Sequence, residues 1–565
     1  MSDPSRFQNS RPLEKPYAVW RSAAGAVLVI GSLACSTAPP ASPQASAPAA
    51  PTVVANGERL VGEYVGKGGS EAVFRGIPYA APPVGELRWK APAPITPRPG
   101  VQQATKFGPS CVQEVEGNYF YRYIAETLGQ DPKLVPLPGP SSENCLFLNV
   151  WTANLGGKDL KPVMVWIHGG ANAVGTAVGL QTDGANLARK GVVVVSFNYR
   201  LNLFGFLAHP ALTAESGHGS SGNYALLDQI AALKWVQQNA AAFGGDPGRV
   251  TVFGESAGGT NITYLLATPL ARGLFHRAVI ESGGYAVSDF RPLGEAEALG
   301  KSFEEALGVA GSKDVLAAMR AVSPEDLRRA WLRTRKLTGN APNVDGWVFP
   351  RATAKIFDRG EQHKVPVLIG FNKDEWTTLR QYWPNPTLDD FRKVIRAVWG
   401  PFADQVLKLY PATTDAEAAA AVDRYSPDWY YVGPTRFIAE RTTRAGSPAY
   451  VYLFSRVPQA PGGEKLGAHH AMEIPYVWDT LNAIPWMPRK PYDHELAGAM
   501  SAAFVRFAIT GDPNGGKLPA WPRYKSGSED FLEFGDTIRA SSGIRPEFCD
   551  LYEKLLASWA TAARP

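Results

Sequence analysis

One stretch limits what this chain can fold into more than any other. From Arg249 an apolar, β-branched run, Val250-Thr251-Val252-Phe253, stops abruptly at Gly254-Glu255-Ser256-Ala257-Gly258-Gly259, and a helix-like segment follows from Thr260 to Ala267. A strand that turns sharply into a helix through Gly-x-Ser-x-Gly holds its serine on a strained elbow with the hydroxyl exposed. Gly254 and Gly258 have a steric reason, since side chains there would collide as strand and helix close over the turn. Ser256 is therefore the candidate nucleophile.

The surroundings of the elbow read as an α/β sheet. Leu146–Trp151, Pro162–Ile167 and Val192–Phe197 are continuous apolar runs, as expected for central strands covered on both faces. Asn223 to Ala242 separates them from the elbow with apolar residues at helical spacing. Arg277–Glu281, Val365–Gly370 and Tyr450–Phe454 add further strands, and an earlier pair, Leu60–Val65 and Ala72–Arg75, predicts a hairpin. Alternation of strands and helices implies a large, mostly parallel sheet. Two long helical stretches, about 294–338 and 387–444, interrupt it and are expected to be insertions over the active-site side.

Composition removes other classes of function. An apolar content of 45% over 565 residues supports a large buried core. A net charge of +5, with no Lys/Arg block, argues against nucleic-acid binding. No apolar run reaches the roughly 20 residues that span a bilayer as a helix.

Residues 1–35 read as an export signal: Arg6, Arg11, Lys15 and Arg21 precede a short apolar run from Ala23 to Ala34 that ends at Cys35. The ending Ser32-Leu33-Ala34-Cys35 resembles a bacterial lipoprotein cleavage site, with Ser32 where an aliphatic residue is usual. Lipidation of Cys35, which would anchor the chain to a membrane, and plain export to the periplasm or medium stay open as two readings. Residues 36–56 are rich in Ala, Pro and Ser and read as a tether, leaving 57–565 as the catalytic domain. Of the remaining cysteines, Cys111 and Cys145 bracket a loop rich in Pro, Gly and aromatics and are paired here, with Cys549 left as a buried thiol. No Cys/His spacing points to a metal.

A serine hydroxyl needs a base within hydrogen-bond reach, itself oriented by an acid, and on an α/β-hydrolase sheet these follow in the order Ser, Asp/Glu, His. The acid belongs at a strand end. Asp374 and Glu375, directly after the Val365–Gly370 run, both qualify. The base belongs on a later loop, where His469 and His470 stand side by side and residue type does not separate them. The oxyanion of acyl transfer needs preorganised N–H donors. Ala257 should supply one, and the turn His168-Gly169-Gly170-Ala171-Asn172 the others.

With these residues in hand, the chain resembles the type-B carboxylesterases, the carboxylesterase and cholinesterase family of α/β-hydrolases. The resemblance runs from about Val61 to the C-terminus. It is carried by Phe74-Arg75-Gly76-Ile77-Pro78-Tyr79-Ala80, Glu143-Asn144-Cys145-Leu146-Phe147-Leu148-Asn149-Val150-Trp151, Asn198-Tyr199-Arg200-Leu201-Asn202 and the elbow, then by Asn372-Lys373-Asp374-Glu375 and His470-Ala471-Met472-Glu473-Ile474-Pro475. It implies the triad Ser256–Glu375–His470, with Gly170, Ala171 and Ala257 as oxyanion donors. It matches Cys111–Cys145 to the family's first disulfide. It implies hydrolysis of small-molecule esters through an acyl-enzyme, without a cofactor, and leaves the oligomeric state open.

The chain departs from the family at three places. Trp376 replaces the usual Gly after the acid and is expected to crowd or line the substrate pocket. Ala171 replaces the third Gly of the oxyanion turn, and Asn172 the usual Phe after it, making that wall more polar. Gly169-Gly170-Ala171-Asn172 still resembles the turn of esterases that accept tertiary-alcohol esters. Tyr119, with Phe120, Tyr121 and Tyr123, is a further candidate for the pocket. The competing readings are a catalytically inactive, cholinesterase-like binding protein, and a hydrolase of amides, carbamates or thioesters with the same triad.

Overall fold

The computed structural model describes residues 49–66, 69–114, 119–137, 139–288, 291–334 and 341–561. The expected export signal and Cys35 lie outside these residues. An eleven-stranded sheet organises the rest. In chain order its strands are β1 (Glu63–Val65), β2 (Glu71–Pro78), β3 (Phe147–Thr152), β4 (Lys161–Ile167), β5 (Val193–Phe197) and β6 (Gly245–Glu255). They continue as β7 (Arg277–Glu281), β8 (Val367–Asn372), β9 (Ala449–Phe454), β10 (Phe531–Phe534) and β11 (Ile538–Ser541).

Across the sheet the order is β11-β10-β9-β8-β7-β6-β4-β5-β3-β2-β1. From β5 to β10 all neighbours are parallel, while β3, β2, β1 and the far edge β11 are antiparallel. The central runs are continuously apolar because alternate residues enter two different cores. Val163, Val165 and Ile167 join one, and Met164 and Trp166 the other. The same split recurs at Ala278 and Ile280 against Val279 in β7. Each Val, Ile or Met side chain among them contributes about 1.5–3 kcal/mol by leaving water, and a one-residue slip would misplace every one of them.

The chain passes from β4 out to β5 and then back over β4 to β6, so the strand order reverses there. In open α/β sheets the crevice outside the carboxyl ends at such a reversal receives the ligand. The loops leaving β4 and β6 are the predicted oxyanion turn and the elbow.

The helices needed below are α1 (Tyr119–Thr127), α2 (Tyr224–Asn239), α3 (Ala257–Ala267) and α4 (Gly433–Arg444). Three expectations need correction. Leu60–Val65 is not one hairpin strand: it breaks at Gly62, where a Cβ would sit 2.4 Å from the Val73 carbonyl oxygen. Glu58–Val61 joins a separate small sheet with Thr52–Ala55 and Val101–Gln103, and only 63–65 pairs with β2. Thr52–Ala55, expected within the tether, is thus a strand, and it buries Val53 and Ala55. The stretch 387–444 is not all insertion either, because α4 packs on β8 and β9 as the crossover between these parallel neighbours.

Candidate functional site

Ser256 stands between β6 and α3 with φ +55° and ψ −122°, a conformation that few side-chain-bearing residues adopt. Three glycines make room for it. A Cβ on Gly254 would lie 2.5 Å from the Ile167 carbonyl oxygen, one on Gly258 2.0 Å from the same atom, and one on Gly259 3.0 Å from the Glu281 carbonyl oxygen. The Ser256 N–H donates to the Glu281 carbonyl at 2.9 Å, tying the elbow to β7. Ala257 opens α3, so its N–H has no intrahelical acceptor, and the helix terminus there favours negative charge.

The turn after β4 lies directly against this elbow, for a Cβ on Gly169 would approach Ser256 Cβ to 3.1 Å. The turn is left-handed through three residues: Gly170 at φ +102°, then Ala171 and Asn172 both at +54°. A Cβ on Gly170 would lie 2.2 Å from the Val174 carbonyl oxygen. The Gly170 carbonyl accepts from the N–H groups of Ala173 and Val174, both at 3.0 Å. Asn172, expected as a pocket wall, is buried with its side chain held by Tyr199 and Asn261.

Glu375 is fully buried just beyond β8. One carboxylate oxygen accepts from the Asn372 N–H at 2.8 Å and the other meets His470 Nδ1 at 2.5 Å. Asp374 is used differently: its carboxylate accepts from the Ala468 N–H at 2.8 Å, and its own N–H donates to the Ala468 carbonyl at 3.0 Å, clamping the acid loop to the histidine loop. His469 turns Nδ1 to the His470 carbonyl at 2.8 Å, and burial lowers its pKa to about 4, leaving it neutral. Of the two candidate pairs, Glu375 and His470 are the residues brought together.

The other ring nitrogen of His470, Nε2, lies 3.1 Å from a Glu255 carboxylate oxygen, which accepts no aligned hydrogen bond among the described residues. Glu255 was not singled out in the sequence, although it is the variable residue inside Gly-x-Ser-x-Gly. It belongs to a buried acidic group with Glu281 and Glu473. Glu255, Glu281, Gly370 and Tyr452 form one cross-strand row at the carboxyl edge of the sheet. Glu473 is held by Asn372 at 2.5 Å and Ser282 at 3.2 Å. Among the described residues, neither carboxylate oxygen of Glu281 has a partner.

Burial pushes the Glu255 carboxyl up to about 8, drawn back by His470 and raised further by Glu473 and Glu375. Burial likewise raises Glu473 to about 7, with Glu375 adding to it, and Glu281 well above the carboxylate range. Burial alone would depress His470, but the carboxylates of Glu255 and Glu375 reverse this and raise it to about 9. No group of three or more His, Cys, Asp or Glu among the described residues is arranged to hold a metal ion.

Aromatic rings enclose the histidine. Phe120 from α1 meets it edge-on at 6.4 Å between ring centres, and Tyr431 lies at 5.3 Å. The residue of α1 that reaches the site is thus Phe120 rather than Tyr119, which is 64% exposed, because one helical step of 100° turns one ring inward and its neighbour out. Trp376 is buried and stacks on Tyr430 at 5.6 Å with the rings 3° from parallel. Tyr430 and Tyr431 come from a π-helical turn, Asp428–Val432, inserted just before α4. Such turns concentrate at functional sites, and nothing in the residue pattern marked this one. Cys111 and Cys145 form a disulfide, and Cys549 is a buried free thiol.

The sequence profile described as the Carboxylesterase family matches residues 49–552. The chain is 37% identical over 496 residues to the fumonisin B1 esterase of Sphingopyxis macrogoltabida, covering 86% of this chain and 87% of that protein. It is 34% identical over 476 residues to the para-nitrobenzyl esterase of Bacillus subtilis, covering 81% and 90%. Among solved structures it resembles a thermophilic PNB esterase, with a TM-score of 0.77 at 30% identity, and the carboxylesterase of Geobacillus stearothermophilus, with 0.75 at 31%. Each match covers 89% of this chain and 99% of the other.

Proposed function

Because the chain belongs to the carboxylesterase family and is a carboxylic ester hydrolase, we propose that it works through an acyl-enzyme on Ser256, with His470 as base and Glu375 as the acid behind it. The observation that carries this is the buried Glu375–His470 pair, at 2.5 Å, whose other ring nitrogen lies 3.1 Å from Glu255, the residue before a serine on a strained elbow. His470 Nε2 takes the Ser256 proton as Oγ attacks the ester carbonyl. The imidazolium so formed sits between Glu375 on Nδ1 and Glu255 near Nε2. The oxyanion is received by the N–H groups of Gly170, Ala171 and Ala257, in a site walled from water by Phe120, Tyr431 and Trp376. The alcohol leaves with the histidine's proton, and water repeats the cycle to free the acid. Ser256 Oγ makes no hydrogen bond among the described residues, so Oγ and Nε2 align when substrate enters, as catalytic contacts often do.

The test is Ser256→Ala, Glu375→Gln and His470→Ala against His469→Ala, on an aryl acetate. The first three lose kcat by about 10⁴-fold or more, His469→Ala loses little, and the acetylated wild-type serine is trapped at acid pH and found by peptide mass. Comparable loss at His469 with His470→Ala near normal overturns the base. The substrate is a small-molecule ester; fumonisin B1 and a para-nitrobenzyl ester, from the names of relatives, belong in the first panel. Residues 1–35 act as an export signal, which agrees with the disulfide, and Cys35 becomes the lipidated start of the mature chain. Intact mass of protein from its host decides this: an unmodified start beyond Cys35 removes the anchor.

A further inference from the structure

The predicted oxyanion donors come from two segments far apart in the chain: Gly170 and Ala171 from the turn after β4, and Ala257 from the first turn of α3. Donors act at about 2.7–3.1 Å from the oxyanion, so the spacing between these segments has to be kept within tenths of an ångström. We infer that Asn172 and Asn261 are positioning residues that lock this spacing. The inference rests on the site proposed above and adds a role for two residues outside the triad.

Asn172 directly follows Ala171, and Asn261 lies one helical turn beyond Ala257 on the same face of α3. Asn261 Nδ2 donates to Asn172 Oδ1 at 2.9 Å, with the reciprocal amide contact at 3.5 Å. The Tyr199 hydroxyl faces the same Asn172 oxygen at 3.2 Å and the His168 carbonyl at 2.8 Å, and the Tyr199 ring stacks on His168 at 4.4 Å. The Asn172 carbonyl in turn accepts from the Asn202 N–H at 2.7 Å. The turn is therefore gripped at both ends, and the asparagine pair ties it to α3. Asn261 and Tyr199 are fully buried and Asn172 nearly so, which keeps bulk solvent from competing for these bonds. Asn also suits the φ of +54° at position 172 better than most residues.

A lock of this kind acts on the transition state, whereas a purely structural pair would affect only the amount of folded protein. The experiment compares Asn172→Gly, Asn172→Ala, Asn261→Ala and Tyr199→Phe, each normalised by active-site titration. It reads kcat and KM for para-nitrophenyl acetate and the Ki of an aryl trifluoromethyl ketone, which captures serine as a tetrahedral oxyanion. In Asn172→Gly and Asn261→Ala, kcat per titrated site falls about 10–100-fold, less than the roughly 100–1,000-fold of a donor removed outright, because the N–H groups remain and only their spacing loosens. KM stays within about twofold, and Ki rises in step with the loss of kcat. Tyr199→Phe falls between these and wild type. The double variant is no more than about threefold worse than the worse single one, since both break one contact.

Wild-type kcat per site in Asn172→Gly or Asn261→Ala overturns the inference, as do losses that multiply in the double variant. If Asn172→Gly is normal while Asn172→Ala is impaired, the left-handed backbone alone was required, and the inference also fails. Should a substitution at 172 not fold, Asn261→Ala and Tyr199→Phe, on other elements, decide it. Ser256→Ala is run alongside: activity retained there is a failure of the site reading, whereas a silent Ser256→Ala beside a normal Asn261→Ala sinks the lock alone.

Discussion

Glu255→Gln should move the pH dependence of the enzyme toward acid while lowering its ceiling. The carboxylate lies 3.1 Å from His470 Nε2. At that distance a unit charge pair is worth about 5 kcal/mol at an effective dielectric constant near 20, and about 1.3 kcal/mol in water. With 1.36 kcal/mol per pH unit, the effect spans about one to four units. Burial pushes Glu255 itself up to about 8, below the value of about 9 at which His470 gives up its proton, so Glu255 is mostly ionised there and about one unit is the least shift to expect. The sign follows from which form is favoured. A negative neighbour stabilises the imidazolium and raises His470, to about 9 with Glu255 and Glu375 both present. Removing the charge therefore frees the neutral base at lower pH.

The rising limb of kcat/KM should thus shift down by at least about one unit in Glu255→Gln. The same substitution takes a partner from the imidazolium that forms in the transition state, so the alkaline plateau should fall about tenfold, the equivalent of one pH unit of interaction. Initial rates on an aryl ester from pH 5 to 10 measure both. Glu473, Tyr431, Phe120 and His469 also border His470, so the control is a carboxyl of the same buried row without contact to the ring. Glu281→Gln should leave the limb in place. A limb that stays put in Glu255→Gln, or moves to higher pH, refutes the reasoning.

Other outcomes follow from the same coordinates. Glu255, Glu473 and His470 are all raised above their unfolded values, to about 8, 7 and 9, so the folded chain holds extra protons and should lose stability as pH rises from 7 to 9; a Tm that rises across this window contradicts it. Below that window, buried His168, His363 and His469, lowered to about 4, act in the opposite direction. Replacing Cys111 and Cys145 by Ser frees a loop with a sequence separation of 34, and unfolding free energy should fall by about 3–4 kcal/mol; equal denaturation midpoints with and without reductant refute this. Ala171→Gly relieves a left-handed alanine at φ +54° and opens one methyl of space, so tert-butyl acetate turnover should rise more than aryl acetate turnover. If only Trp376→Gly has that effect, the ring stacked on Tyr430 is the block, and if neither does, the turn does not set alcohol size.

What the residues disclosed in advance, and what they hid, divides along a physical line. The central strands were legible because burial on both faces leaves little choice of side chain, and the elbow because a strained serine needs glycines at fixed offsets. In the stretch 387–444 the part 433–444 reads as insertion because a crossover helix and an inserted helix share the same local pattern; the pairing of β8 with β9 tells them apart. Asp374 and Glu375 carry the same chemistry one residue apart, as do His469 and His470. What separates them is direction: Asp374 is spent on the Ala468 N–H, and His469 on a carbonyl. Tyr119 and Phe120 differ in the same way, by helix phase. The contacts least visible in the sequence join distant elements: Glu255 to His470, Tyr431 to His470, Asn172 to Asn261. None is dictated by a motif, and each changes the environment of a group that a motif had already named. Motifs of this kind therefore identify the atoms that react, while the tuning of those atoms resides in long-range pairs that only the folded chain brings together.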